Sequence, residues 1–175
     1  SGERPADIPF KAADAIRTLM AFTNKVRTYQ IADTDTTDTL TNGVSARRNQ
    51  LLMDLSAELG LASIDGAADA TVKDLYVSVD RLAHNYRPFG PVLTDAIRDR
   101  LRRVFGGAGV KPARIHERVT GTWQLGDGWA NAVTAEVLLG TREGDSVRGG
   151  ALATLPEAVS SAAEADALID HAVQS

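Results

Sequence analysis

The amino-acid sequence predicts an all-α fold. Three observations carry this. Nearly every periodic stretch repeats its apolar residues at helical spacing. Aromatics make up only 5% of the 175 residues, so the core must rest on Leu, Val, Ile and Ala. Strand-type alternation is missing, and that residue mixture favours helices over sheets.

The elements follow in order. From Phe10 to about Tyr29, Phe10, Ala13, Ile16, Met20 and Val26 fall on roughly one helical face. Asp33 to Thr39 is polar and rich in threonine, which reads as a loop with at most a short turn. Asn42-Gly43 is a turn signal. Ser45 to Leu59 reads as the second helix, with Leu51, Leu52, Leu55 and Leu59 at helical spacing and Gly60 as its stop. Residues 61–70 form a small-residue linker. Thr71 reads as an N-cap with Asp74 three residues on, ahead of the stripe Val72, Leu75, Tyr76, Val79 and Leu82.

Asn85 to Gly90 contains Pro88 and Gly90 and reads as a connector. Leu93, Ala96, Ile97, Leu101, Val104 and Phe105 mark a further helix, ended by Gly106-Gly107-Ala108-Gly109. Pro112 suits the first turn of the next helix, which carries Ile115 and Val119. Gly126-Asp127-Gly128 reads as a break. Trp129 to Leu139 fits helix or strand by pattern, and the interleaved Ala and Glu favour helix. Residues 140–150 form a Gly-rich loop, and Ser161 with Glu164 is a capping box for a last helix through Leu168, Ile169, Ala172 and Val173. The expected organisation is therefore a linker or tag remnant over residues 1–9, a first helical lobe over 10–84, a connector over 85–90 and a second helical lobe over 91–175. Ser1-Gly2 reads as a cloning remnant, and the chain as a piece of a longer polypeptide.

Composition excludes several chemistries. The chain has no cysteine, so it offers no disulfide, thiolate nucleophile or Cys-bound metal. A cytoplasmic setting is the simplest expectation. No apolar run is long enough to span a membrane. The net charge of −4 argues against a nucleic-acid partner. Its distribution is uneven. Residues 1–84 carry 9 basic and 12 acidic side chains, residues 85–118 carry 8 and 3, and residues 119–175 carry 2 and 8. Arg98, Arg100, Arg102 and Arg103 read either as a docking surface or as a solvated helix face paired locally with Asp95 and Asp99.

Candidate chemistry elsewhere is sparse. His84, His116 and His171 are far apart and lack metal-binding spacing, so structural or surface roles are expected. No Gly-x-Ser-x-Gly elbow exists, since Arg47 and Arg148 stand two residues after Ser45 and Ser146. Gly106 to Lys111 only faintly resembles a phosphate loop; it follows a helix, and Lys111 precedes Pro112. Asp33, Asp35 and Asp38 read as solvated loop charges or a weak cation site. A chain without a nucleophile–base pair, metal cluster or nucleotide loop is a poor enzyme candidate, and no catalytic or metal-ligating residue is assigned.

The informative window runs from Asn42 to Gly60. It holds a serine, Ser45, at the start of an amphipathic helix, where backbone N–H groups and the positive dipole end favour a phosphate. Arg47 and Arg48 add positive charge. The competing reading makes Ser45 only an N-cap.

This window resembles the acyl carrier protein pattern. A serine opens the second helix, leucine-type residues recur at the positions of Leu51, Leu52, Met53, Leu55 and Leu59, and a glycine closes it. It is closer still to the carrier domains of fungal and actinobacterial type I fatty acid synthases, through Gly43-x-Ser45 and Asn49-x-x-Leu52-x-Asp54-Leu55. Tyr86 to Ala96 and Thr141 to Gly150 look like the actinobacterial version, and the resemblance covers nearly the whole chain. It implies an acyl-carrier four-helix bundle followed by a second helical lobe with a scaffolding role. It implies a 4′-phosphopantetheine attached to Ser45 from coenzyme A by a phosphopantetheinyl transferase. It further implies ketosynthase, ketoreductase, dehydratase, enoyl reductase and acyl or malonyl transferase domains as partners, no membrane or nucleic-acid partner, and a monomer as an isolated domain. The carrier itself performs no bond chemistry.

Two departures stand out. The Asp-Ser-Leu of free carriers is Val44-Ser45-Ala46 here, and Arg47 and Arg48 replace an acidic start, which bears on partner docking. Asp145-Ser146-Val147 is nearer by letters, but the two glycines after Arg148 disfavour a helix there by roughly 1 kcal/mol each. Besides the carrier, a helical structural or interaction domain without a prosthetic group and a small helical enzyme remain as readings.

Overall fold

The computed structural model describes residues 5–175. The cloning-remnant reading of Ser1-Gly2 lies outside the described residues. Among the described residues, eight α-helices follow one another: α1 (Ala12–Thr23), α2 (Thr37–Leu40), α3 (Ser45–Leu59), α4 (Val72–Leu82), α5 (Pro91–Phe105), α6 (Ala113–Glu117), α7 (Asp127–Gly140) and α8 (Ala162–Gln174). The described residues contain no β-strand. The all-α expectation holds.

The chain forms two compact units. The first holds Lys11–Thr94 together with Asp145–Gly150. The second holds residues 5–10, Asp95–Gly144 and Ala151–Ser175. The units thus interleave along the chain, whereas the sequence suggests consecutive lobes: 145–150 belongs with the first unit.

In the first unit, α1 packs against α3 and α4, and α2 packs against α3. Ala15, Ile16, Leu19 and Met20 from α1, Leu51 and Leu55 from α3, and Val72, Leu75 and Val79 from α4 are buried. Burying each large member stabilises the fold by about 1.5–3 kcal/mol before entropy costs. The predicted cap holds at α4, where the Thr71 hydroxyl oxygen accepts from the Asp74 amide at 3.2 Å. At the end of α3, Gly60 adopts φ 68° and the Leu61 amide donates to the Ser56 carbonyl at 2.9 Å. That closes the last carbonyls in a Schellman turn.

One local expectation changes, and the short turn expected in the threonine-rich loop is found. The helix read through to Tyr29 stops at Thr23. Buried Asn24 donates both its side-chain amide (2.9 Å) and its backbone amide (3.1 Å) to the Met20 carbonyl, and Lys25 then turns left-handed at φ 53°. A short side chain that competes for a helix carbonyl ends the helix there. The threonine-rich loop also closes with one helical turn, α2. The Thr36 hydroxyl accepts from the Thr39 amide, and the Thr39 hydroxyl accepts from the Thr36 amide.

In the second unit, Ile97, Leu101, Val104 and Phe105 of α5 are buried. Pro112 stands at the N-cap of α6 rather than inside its first turn. α6 runs on into a single wider turn of π type, Arg118–Thr122. Gly126-Asp127-Gly128 does not break the chain; it opens α7. The Asp7 carboxylate accepts from the Gly128 amide at 3.2 Å, and a Cβ at Gly128 would collide with the Ile8 carbonyl. Residues 6–8 thus lie against the start of α7, with Asp7 capping it. The ambiguous stretch inside α7 is helical because Ala130, Val133, Val137 and Leu138 bury several sides of it. At α8, the Ser161 hydroxyl accepts from the Glu164 amide at 3.1 Å, and the Glu164 carboxylate accepts from the Ser160 amide.

Candidate functional site

The chain enters α3 through two consecutive left-handed residues, Asn42 (φ 52°) and Gly43 (φ 71°). Gly43 donates its amide to the Asp38 carbonyl at 2.9 Å, and Val44 donates to the Thr41 carbonyl at 3.1 Å. This turn makes Val44 the N-cap and Ser45 the first helical residue. No side chain caps this end. The N-cap reading of Ser45 is thereby corrected: the capping position is one residue earlier, where the valine side chain has no polar atom to offer. Ser45 is exposed. Its hydroxyl stands beside first-turn N–H groups that have no carbonyl four residues back within the helix.

The two arginines behind it differ. Arg48 donates to the Asp38 carboxylate at 3.0 Å and so ties α3 to α2. Arg47 is exposed.

An open groove of about 680 Å³ runs beside α3, lined by Leu52, Met53, Ala57, Leu61, Ile64 and Ala67 among others. Leu52 is seven residues from Ser45, nearly two full turns, so both point to one side of the helix about 10 Å apart along its axis. Met53 is 66% exposed on this wall. The loop after α3 supplies the opposite wall.

Ser146 is built differently. It is 6% exposed, donates its hydroxyl to the Gln30 side-chain oxygen at 2.5 Å and accepts from the Arg148 amide at 3.1 Å. It lies in a turn, and no helix starts there.

The remaining candidates do not converge. Among the described residues, no group of three or more His, Asp or Glu stands in metal-binding proximity. His116 pairs with Asp127 at 2.9 Å, while His84 and His171 are exposed elsewhere. Asp33, Asp35 and Asp38 part company. Asp38 pairs with Arg48, and Asp35 is buried against Arg148 at 2.6 Å rather than solvated. The Arg148 guanidinium holds the Asp35 carboxyl down at about 2, helped by the Ala32 amide and the Thr39 hydroxyl and opposed by burial. Gly106–Ala108 is a tight turn closing α5, followed by Gly109 at φ 65°, not a strand-to-helix phosphate loop. Arg98 pairs with Asp95 and Asp99, as local pairing predicts.

Two features have no counterpart in the sequence reading. Glu58, 2% exposed, accepts from the Tyr86 hydroxyl (2.6 Å), the Gly90 amide (2.5 Å) and the Leu93 amide (2.7 Å). Burial, then this carboxylate, push the Tyr86 hydroxyl far above the usual tyrosine range. In the second unit, Arg114 and Arg118 grip Asp166 and Asp170 in two bidentate pairs, and the Trp123 indole donates to Asp170 at 2.8 Å. The matched i,i+4 spacing of the two arginines and of the two aspartates was the signal available for that ladder. No family model matches the chain, and no curated protein matches it.

Proposed function

We propose that the chain is the acyl carrier domain of a type I fatty acid synthase, with Ser45 as the attachment point of 4′-phosphopantetheine. The observation that carries the reading is the contrast between two serines. Ser45 is exposed at the first position of α3, free of a capping role, whereas Ser146 is buried in side-chain hydrogen bonds. The sequence of the window, from Asn42-Gly43 to Gly60, supplies the resemblance that names the group.

The residues present fit such a group. Ser45 offers an accessible hydroxyl oxygen, which would attack the pantetheine-side phosphorus of coenzyme A; the diphosphate P–O bond breaks, adenosine 3′,5′-bisphosphate leaves, and the serine proton passes to the transferase. First-turn N–H groups stand where a phosphodiester would sit. Arg47 adds positive charge for the phosphate or for an approaching partner. When bound, the arm supplies the thiol that this cysteine-free chain lacks, so that acyl groups travel as thioesters. The chain's own work is then to anchor and present. Tethering raises the effective concentration of substrate at each synthase site. The groove along the Ser45 side of α3 gives an apolar chain somewhere to lie out of water. The partners are the transferase that loads Ser45 and the condensing, reducing, dehydrating and acyl-transfer domains of the synthase.

The test is intact mass after incubation with coenzyme A, magnesium and a competent phosphopantetheinyl transferase. The expected result is a gain of one phosphopantetheine, lost in Ser45→Ala and kept in Ser146→Ala. No gain in the wild-type chain would instead favour a helical interaction domain without a prosthetic group. A gain kept in Ser45→Ala and lost in Ser146→Ala would move the site.

A further inference from the structure

Residues 145–150 come late in the sequence yet belong to the first unit. They meet the segment that leads to Ser45. The Val147 amide donates to the Lys25 carbonyl at 3.0 Å. The Gln30 side-chain amide donates to the Gly149 carbonyl at 2.9 Å. Ser146 donates to the other end of the same Gln30 amide, which also accepts from the Arg27 backbone amide. Within this tie, Arg148 makes the most consequential contact. Its guanidinium donates to the Gln30 carbonyl at 2.7 Å and to both Asp35 oxygens at 2.6 and 2.9 Å.

Asp35 is the hub of the loop. Its carboxylate also accepts from the Ala32 amide (2.7 Å) and the Thr39 hydroxyl (2.8 Å). Its carbonyl accepts from the Val72 amide at 2.7 Å, at the start of α4. Thr39 belongs to α2, which hands the chain through Asn42-Gly43 to Ser45. A buried carboxylate left without its cation would be costly, and the loop would move to rehydrate it. The shape of residues 31–44 therefore depends on a side chain more than a hundred residues away.

We propose that Arg148 is a positioning residue for Ser45, and that residues 145–150 are a strap holding the 31–44 loop in the form that presents the serine. The inference rests on the carrier reading for its functional half. Its consequence is that Ser45 modification requires a segment lying outside the contiguous carrier lobe. A transferase selecting the ordered loop would see its apparent affinity fall by the fraction of chains still ordered, with the chemical step unchanged. Lysine, a point charge, cannot reproduce the two-pronged contact and would restore only part of it.

The experiment compares wild type, Arg148→Met, Arg148→Lys and Tyr86→Phe in the full chain. Transferase kinetics and amide hydrogen exchange are measured on each. Tyr86→Phe lowers stability at Glu58 without touching the strap. In Arg148→Met, KM for the chain should rise about tenfold with kcat within about twofold, and in Arg148→Lys by about threefold. Tyr86→Phe should stay within about twofold on both, because its loop remains ordered. Exchange at Asp35, Leu40, Gly43 and Val44 should quicken by about tenfold or more in Arg148→Met, with α1 amides unchanged. Unchanged exchange in that loop would overturn the strap. Quickened exchange with unchanged KM would overturn the positioning role. If the wild-type chain takes no phosphopantetheine, the carrier reading and the positioning role fall together, and the exchange data alone decide the strap.

Discussion

Glu58 accepts the Tyr86 hydroxyl at 2.6 Å from a position only 2% exposed on α3. The same carboxylate caps the start of α5 through the Gly90 and Leu93 amides. One buried acid thus ties the helix that bears Ser45 to residues 86–93 of the same unit. Glu58→Ala should leave three donors unpaired, each costing about 1–3 kcal/mol. A total loss of about 4 kcal/mol is expected, against about 1.5 kcal/mol for Tyr86→Phe. Urea unfolding of the two single variants and the double variant measures both losses and their coupling. Additive losses would show that the hydroxyl and the carboxylate do not act together. Gly90→Ala should also be severe, because the added Cβ would meet the Glu58 carbonyl.

Asp35 gives the fold an acid-sensitive element. Its carboxyl is held at about 2 against an ordinary 3.8, chiefly by Arg148. The depressed value means that the charged form is the one the fold prefers. Its contribution, about 2 kcal/mol, is present above pH 4 and is lost as pH falls from about 4 to about 2. Unfolding free energies of wild type and Asp35→Asn should therefore differ most near neutral pH and converge at the acid end. A gap that stays constant from pH 7 to pH 2 would exclude this titration as the cause.

The second unit has its own marker in Trp123, whose indole donates to Asp170. Asp170 is held below the usual carboxylate range, first by Arg118 and also by Trp123. The pairs are partly exposed, so solvent discounts their value. Asp170→Ala should cost about 1 kcal/mol. In a Trp129→Phe background it should also shift Trp123 emission to the red as the indole loses its partner. Emission that does not move would mean the bond is not made in solution.

The groove beside α3 yields a prediction conditional on loading. Ala57 is exposed on its wall, so Ala57→Trp would fill it without disturbing the core. A long acyl thioester on the loaded chain should then hydrolyse about fivefold faster, equivalent to about 1 kcal/mol of lost shelter. A short acetyl thioester should be indifferent. Equal rates for wild type and Ala57→Trp with the long chain would show that acyl groups stay in solvent.

Much of this was legible in residue order. Leucine spacing and the Gly60 stop define α3, Thr71 and Ser161 announce α4 and α8, and Asn42-Gly43 marks the turn before Ser45. These signals are local, with donor, acceptor and left-handed residue within a few positions of one another. The early end of α1 was hidden because its cause, a buried Asn24 turned on Met20, depends on which side chain the core covers. The opening of α7 was misread because Gly128 looks like a breaker until Ile8 and Asp7 are seen packed against it.

By itself, the sequence determined the all-α class and the placement of most helices, α3 among them, since periodicity and caps act over one or two turns. Only the tertiary structure decided that Val44, not Ser45, holds the capping position, and that Ser146 is buried. It alone joined Asp35 to Arg148 and Glu58 to Tyr86. A buried charge finds its partner by closeness in space, and residues 35 and 148 leave no periodic trace of that pairing in the chain.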